Sequence, residues 1–500
     1  MRIRLLKSFL FALMASVTLS AFAQEVLDRP LQGRRGVFRP EWALCKAPQA
    51  QDRGPGGNYF IGEKHQLVVL ASFADNPFLG DSAATMAQWN KILNTEHLNE
   101  APFTGSFHDY FAAQSYGRFN LICDVHYVRV DSCFRYGSTY TDDENSQYLV
   151  QDIMDALRHR NIEWNLYDWN GDGYVNQLLI IFAGQASKYA GLGPRTDAIW
   201  PHQWWLSRHL KERKQGVYCS PDTICYQGAD FIIDAYCAVQ ELWKDSTYGS
   251  FGTLCHEYTH CFGFPDLYYG SNTSAAAEWD LMDYGNYSGN GFTPPSYSSH
   301  ERWLMGWLTP VELTQPTEVT AMPALEDAPT AYLVRNDAHP EEFYLLENRQ
   351  QKGWDAALPG SGMLIAHVDY VPEYWLSGVV NTANAQHYVL MRANHMDSRT
   401  HSSGWAYPYV NGSTYNDALT NTSTPAARLW HANTDSTLLM SKPITDIAVT
   451  DGLVSFSFML GPAAIDDIHA DTKAVKVLRN GQIYILRGER IYTLQGMEVR

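Results

Sequence analysis

Apolar and polar positions along the 500-residue chain fall into two textures. In the first, unbroken apolar runs alternate with stretches of helical spacing. Gln66–Phe73 (QLVVLASF) and Gln177–Gly184 (QLLIIFAG) read as buried strands, because an uninterrupted apolar run leaves neither face for water. Met86–Leu93 and Tyr148–Arg158 place apolar residues at helical intervals. The segment from Ser106 to Phe119 predicts a helix stopped by Gly117, which enters the left-handed region at little cost. From about Leu313 the texture changes to short β-type runs between turns: AYLVR from Ala331, FYLLENR from Phe343, GMLIAHV from Gly362 and LVSFSF from Leu453. Glu347 and His367 within these runs read as satisfied structural polars. Residues 400–440, rich in Ser, Thr, Asn and Gly, read as loop. The last part, from Lys476, predicts a small hairpin of two apolar alternations with Arg-rich faces.

The ends and the composition add a cellular context. Arg2, Arg4 and Lys7 precede an apolar run too short to span a bilayer, and Ala21-Phe22-Ala23 follows, so residues 1–23 predict a signal peptide. Residues 24–62, polar and rich in Gly, Pro and Arg, predict a propeptide or linker. Cys45 within it reads as a disulfide partner or spectator in preference to a thiol that caps a metal. A formal charge of −17, more negative by three without the leader's basic residues, argues against nucleic-acid binding and is compatible with calcium sites. Eight cysteines in an exported chain invite disulfides. Cys219–Cys225 is the first expected pair and Cys123–Cys133 the second. Cys255 and Cys261, on different faces of one helix, cannot join each other, although Cys237 is within reach in principle.

The chemistry concentrates in residues 253–284, TLCHEYTHCFGFPDLYYGSNTSAAAEWDLMDY. His256 and His260 lie one helical turn apart on one face, so both imidazoles can reach a single Zn²⁺. Glu257 beside them is placed to deprotonate a metal-bound water. Gly263 ends the helix and Pro265 prevents its resumption, returning Asp266 as a third ligand; Glu278 is the second choice for that position. Met282 suits a hydrophobic floor beneath the metal. Tyr284 is a candidate donor to the oxyanion of the scissile carbonyl, with packing as the competing role. Upstream, Asp168, Asn170, Asp172 and Asn176 with Gly173 follow the first part of an EF-hand-like loop, and Tyr174 would offer its carbonyl. Leu179 stands where the bidentate glutamate belongs, so a structural Ca²⁺ here needs a ligand from elsewhere, and an Asx-rich turn without metal is the alternative.

HEYTHCFGFPDLY, WDLMDYGNYSG, HERWLMGWL, GSFHDYFAAQSYGRFN, DWNGDGYVNQLLIIFAG and EEFYLLENRQQKGWDAALPGSGMLIAHVD together resemble the immune inhibitor A-type family of secreted bacterial zinc metallopeptidases, from about residue 64 to about 460. The resemblance implies a metzincin-like catalytic domain, a propeptide, zinc and calcium, and endopeptidase activity on proteins. It carries over to His256, Glu257, His260 and Asp266. Cys255 and Cys261 depart from the family's core motif. The expected fold is therefore an α/β (α+β) zincin/metzincin-like catalytic domain over 63–310, then a β-rich domain, a β-sandwich, over 311–461, and a C-terminal β tail over 462–500 that resembles a sorting signal, with a plain terminal β module as the alternative. The expected protein is a secreted monomer acting on protein or peptide substrates, with no nucleic-acid partner and no membrane span. The alternative is a calcium-dependent binding or adhesin protein on an inactive zincin scaffold.

Overall fold

The computed structural model describes residues 60–460, with short breaks between residues 137 and 384, and strand segments between residues 475 and 499. The signal peptide, almost all of the propeptide or linker, Cys45 and Cys219 lie outside the described residues.

The first half is built on a five-stranded sheet of β1 (Gly62–Ser72), β2 (Phe119–Arg129), β3 (Leu178–Gln185), β4 (His202–Trp205) and β5 (Ala235–Leu242), in the order β2-β1-β3-β5-β4. β2, β1, β3 and β5 run parallel, and β4 closes the edge antiparallel to β5. The central strands are the unbroken apolar runs. Leu67 to Ala71 and Leu178 to Phe182 are wholly buried, as strands covered on both faces must be.

Helices α2 (Phe107–Gln114) and α3 (Ser146–Leu157) start within two residues of their sequence-predicted positions, and α1 (Ser82–Asn94) starts a turn before Met86. Asp81 caps α1, and Ser106 with Asp109 forms a reciprocal capping box on α2. α2 ends at Gln114, earlier than expected. Tyr116 and Gly117 both take positive φ, and the Gly117 N–H closes back on the Ala112 carbonyl at 2.7 Å.

From Val311 to Phe458 the regular structure is almost entirely β. One five-stranded sheet contains β6 (Val311–Glu312), β8 (Tyr332–Arg335), β9 (Glu342–Arg349), β10 (Gly362–Asp369) and β11 (Tyr388–Leu390). β7 (Thr317–Met322) joins β12 (Ile444–Thr450) and β13 (Leu453–Phe458) in a three-stranded antiparallel sheet. The chain through Phe458 is one compact unit, with a continuous apolar core from Leu67 to Ala406. Buried Arg349 on β9 grips Asp355 with two bonds of 2.7 Å, donates to Glu347 at 3.0 Å, and reaches the Trp279 carbonyl at 3.3 Å. This ties the β-rich half to the turn beneath the histidines. Glu347 also accepts from the Ser299 N–H at 2.6 Å, at the start of α5 (Ser299–Leu304; α4 is given below), and His367 bonds Glu342 at 2.8 Å, so both serve the structural roles expected of them.

Residues 459–500 form a second unit. It holds four short antiparallel strands, Val475–Arg479, Gln482–Arg487, Arg490–Thr493 and Glu498–Val499, where one hairpin was expected. The chain reverses again after Arg487, which divides the second alternation.

Candidate metal centre

Helix α4 (Phe251–His260) follows β5 and is buried along its length apart from part of His260. Ser250 caps it, accepting from the Thr253 N–H at 3.1 Å. At Gly252 a side chain would meet the Asn286 carbonyl at 2.1 Å, so only glycine allows the helix to lie this close to the following loop. Gly263 (φ +93°) terminates the helical turn, and its N–H bonds the His260 carbonyl at 2.9 Å.

The imidazoles are fixed from behind. His256 Nδ1 lies 2.8 Å from the Leu281 carbonyl, and His260 Nδ1 lies 2.6 Å from the Phe264 carbonyl. A carbonyl only accepts, so each Nδ1 carries the proton and each Nε2 presents a lone pair. The two Nε2 atoms face Asp266 Oδ1 at 3.1 and 3.4 Å. That oxygen is buried and has no aligned hydrogen bond. Three groups able to act as metal ligands thus converge on one point. Ligands at about 2.0–2.1 Å from a tetrahedral zinc stand roughly 3.3 Å apart, so the spacing and the N, N, O donor set fit Zn²⁺. The carboxylate favours a positive charge at this point, which in the absence of a metal is a proton. Burial alone would depress His260, but the Asp266 carboxylate overrides it and lifts the imidazole to about 9. Burial likewise opposes ionised Asp266, and the two imidazoles more than offset that, holding it well below the usual carboxylate range.

Glu257 sits beside this cluster. Its charge acts on His260 and on Tyr268, and its carboxylate makes no hydrogen bond among the described residues. Glu278 is engaged elsewhere: it binds Arg399 at 2.7 Å and accepts from Ser402 at 2.9 Å. The structure therefore brings together His256, His260 and Asp266, and leaves Glu278 out. The turn below them is laced in place. Met282 is buried, its carbonyl accepts from the Leu267 N–H at 2.9 Å, and Asp280 accepts from the Met282 N–H at 2.8 Å.

Tyr284 lies half-buried with the Arg399 guanidinium over its ring at 4.2 Å. Tyr268, which sequence reasoning missed, has its ring 6.1 Å from that of Tyr284. Burial first, then the Asp266 carboxylate and Glu257, push its phenol well above the ordinary range, so it remains an O–H donor. The available signal was its position two residues after Asp266 on the same turn.

The expected disulfides fare differently. Cys123 is a buried free thiol, so the Cys123–Cys133 pair is not formed; the two sit on β2 and on a separate helical turn rather than across a hairpin. Cys225 is an exposed thiol, and its expected partner Cys219 lies outside the described residues. Cys255 is a buried thiol, while Cys237 and Cys261 are adjacent free thiols, the Cys237 thiol pushed up by burial and by its hydrogen bond with Cys261.

The loop from Asp168 to Asn176 is organised by its own side chains. Asp168 accepts from the Asp172 and Gly173 N–H groups at 3.0 and 2.8 Å, Asp172 from Tyr174 N–H at 3.0 Å, and Asn176 from Trp169 N–H at 2.7 Å. Gly171 and Gly173 take positive φ, and Asn170 Oδ1 is buried without a hydrogen-bond partner.

A parallel sheet with one antiparallel edge, standing over a His-Glu-His helix, is the construction of zincin-type metallopeptidases, and residues 64–306 fall in that class. Comparison with known families narrows it: this segment matches the catalytic domain of the immune inhibitor A peptidases, M6. Among curated proteins, Immune inhibitor A from Bacillus thuringiensis subsp. alesti is 29% identical over 322 residues. The alignment covers 56% of this chain and 45% of that protein, so the chain spans less than half the length of this relative.

Proposed function

We propose that the protein is an exported zinc-dependent endopeptidase that hydrolyses peptide bonds in proteins. The observation that carries this reading is the convergence of His256 Nε2, His260 Nε2 and Asp266 Oδ1 beside the unengaged carboxylate of Glu257. His256, His260 and Asp266 would hold the zinc ion, which would supply Lewis acidity to the reaction. Glu257 takes the proton of the attacking water and returns it to the leaving amine nitrogen. Tyr284, whose ring lies 6.1 Å from that of Tyr268, is proposed to donate a hydrogen bond to the carbonyl oxygen as it gains charge. The Nδ1–H bonds to the Leu281 and Phe264 carbonyls keep both imidazoles in one orientation throughout.

The loop Asp168–Asn176 is proposed to hold a structural Ca²⁺ through Asp168, Asn170, Asp172, the Tyr174 carbonyl and Asn176; the unpartnered Asn170 Oδ1 supports this. Export follows from the leader sequence, and among the described residues no helix is long and apolar enough to cross a membrane. The proposed organisation keeps the boundaries read from the sequence, with a monomeric mature enzyme, a propeptide ending near Gly62 and a C-terminal tail that serves as a sorting signal.

The test is casein cleavage by the mature protein, before and after chelation and after return of Zn²⁺. Activity lost to the chelator and restored by zinc is expected. Chelator-insensitive cleavage, or none after proteolytic removal of residues preceding Gly62, overturns the proposal.

A further inference from the structure

A second cluster of the same donor types lies in the β-rich half. His339 sits in the β8–β9 loop, Asp369 ends β10, and His431 lies in the irregular segment before β12. Asp369 Oδ1 is 3.2 Å from His431 Nε2 and 3.8 Å from His339 Nε2, and the three atoms lie within 4.8 Å of one another. Asp369 is nearly inaccessible, with a side-chain exposure of 3%.

Its other oxygen is anchored: Oδ2 accepts from His387 Nδ1 at 2.9 Å. That bond fixes the carboxylate plane and directs Oδ1 at the two imidazoles. Yet neither Oδ1 nor His431 Nε2 has a hydrogen-bond partner. At 3.2 Å an ordinary His–Asp hydrogen bond would be aligned, and this contact is not. The His339 and His431 rings stack 3.9 Å apart, so protonating both to satisfy the carboxylate would set two like charges face to face.

The supports are also built. Buried Glu342 accepts from the N–H groups of Trp430 and His431 at 2.6 and 3.0 Å, holding the His431 segment against β9. Two imidazoles and a carboxylate suit a borderline divalent ion of the zinc class; Ca²⁺ and Mg²⁺ prefer all-oxygen sites.

We infer that His339, Asp369 and His431 form a second divalent transition-metal site, which pins the 419–444 segment to the five-stranded sheet. The inference does not rest on the peptidase reading. Asn381 connects this region to the first centre: its side chain accepts from the His387 N–H at 3.0 Å and donates to the Leu267 carbonyl, next to Asp266, at 2.8 Å.

The test is zinc counting on the full mature chain, stripped with a chelator, reloaded with Zn²⁺ alone and desalted. The wild type should hold two equivalents, the double variant H256A/H260A one, H339Q/H431Q one, and the combined variant none. Because His339 and His431 have side chains 37% and 42% exposed, their replacement by Gln should spare the fold, which near-UV circular dichroism checks. As a second reading, Co²⁺ added to H256A/H260A should give visible absorption that D369N abolishes. One zinc in the wild type, lost wholly in H256A/H260A, overturns the inference. So does a second zinc that survives H339Q/H431Q.

Discussion

The two His-His-Asp clusters present the same donor atoms on different foundations. His256, His260 and Asp266 come from one helix and the turn that ends it, their side chains 5%, 16% and 34% exposed. Each imidazole is fixed by a backbone carbonyl, and Glu257 stands beside them with its carboxylate unengaged. His339, Asp369 and His431 come from three separate segments, and their imidazoles are more open to water. The nearby Glu342 is consumed by His367, Asn336 and two backbone N–H groups. On the proposed reading, a metal in the first cluster would have a base at hand and a metal in the second only a scaffold, so the neighbouring carboxylate, more than the donor type, would separate a reacting site from a structural one.

The largest effect should come from breaking the first cluster alone. His256→Ala or His260→Ala should lose the catalytic zinc and reduce fluorogenic-peptide hydrolysis to background, with near-UV circular dichroism unchanged. Asp266→Ala should weaken zinc binding by more than the roughly 10–100-fold typical of an outer-shell partner. Glu278→Gln should leave affinity unchanged, because that carboxylate serves Arg399 and Ser402. Competition with a zinc-sensitive dye separates the two variants, and equal losses would contradict the ligand assignment. Next in size is the tyrosine pair. Tyr284→Phe should lower kcat on the order of 10²-fold with little change in KM if its hydroxyl meets the developing oxyanion. A similar loss in Tyr268→Phe alone would move that role to Tyr268.

The smallest effect concerns an imidazole that has no acid beside it. His300 on α5 is enclosed by the rings of Phe343, Tyr370, Trp375 and Tyr388, and burial depresses it from 6.5 to about 3. A histidine depressed in the folded state contributes stability above pH 6.5 that is lost as pH falls towards 3. His300→Phe should therefore lose about 2 kcal/mol less than the wild type between pH 7 and pH 5 in urea unfolding. Equal pH dependence in the two proteins would contradict this.

These contrasts also explain what could be read from the chain. β1 and β3 were legible because an unbroken apolar run has one comfortable place, between neighbours in a parallel sheet. The first cluster was legible because helical spacing alone places His256 over His260, and Gly263 with Pro265 turns the chain locally towards Asp266. Met282 lies within the same short stretch. Tyr268 was missed because nothing in its own pattern distinguishes a tyrosine that meets Asp266 from one that packs. The Cys123–Cys133 expectation failed for a related reason: closeness in sequence does not place two residues across a hairpin when one ends up on a strand and the other on a helical turn. The second cluster was illegible in principle. His339, Asp369 and His431 share no period or motif, and only the pairing of β9 with β10 and the anchoring of the 419–444 segment bring them together.

The central claim is tested most directly by one conservative change, Glu257→Gln, assayed for zinc content and peptide hydrolysis on the same sample. The account predicts zinc retained in full and hydrolysis reduced by roughly 10²–10⁴-fold, since the change removes the proton carrier and leaves His256, His260 and Asp266 intact. Hydrolysis at the wild-type rate with zinc in place would contradict it.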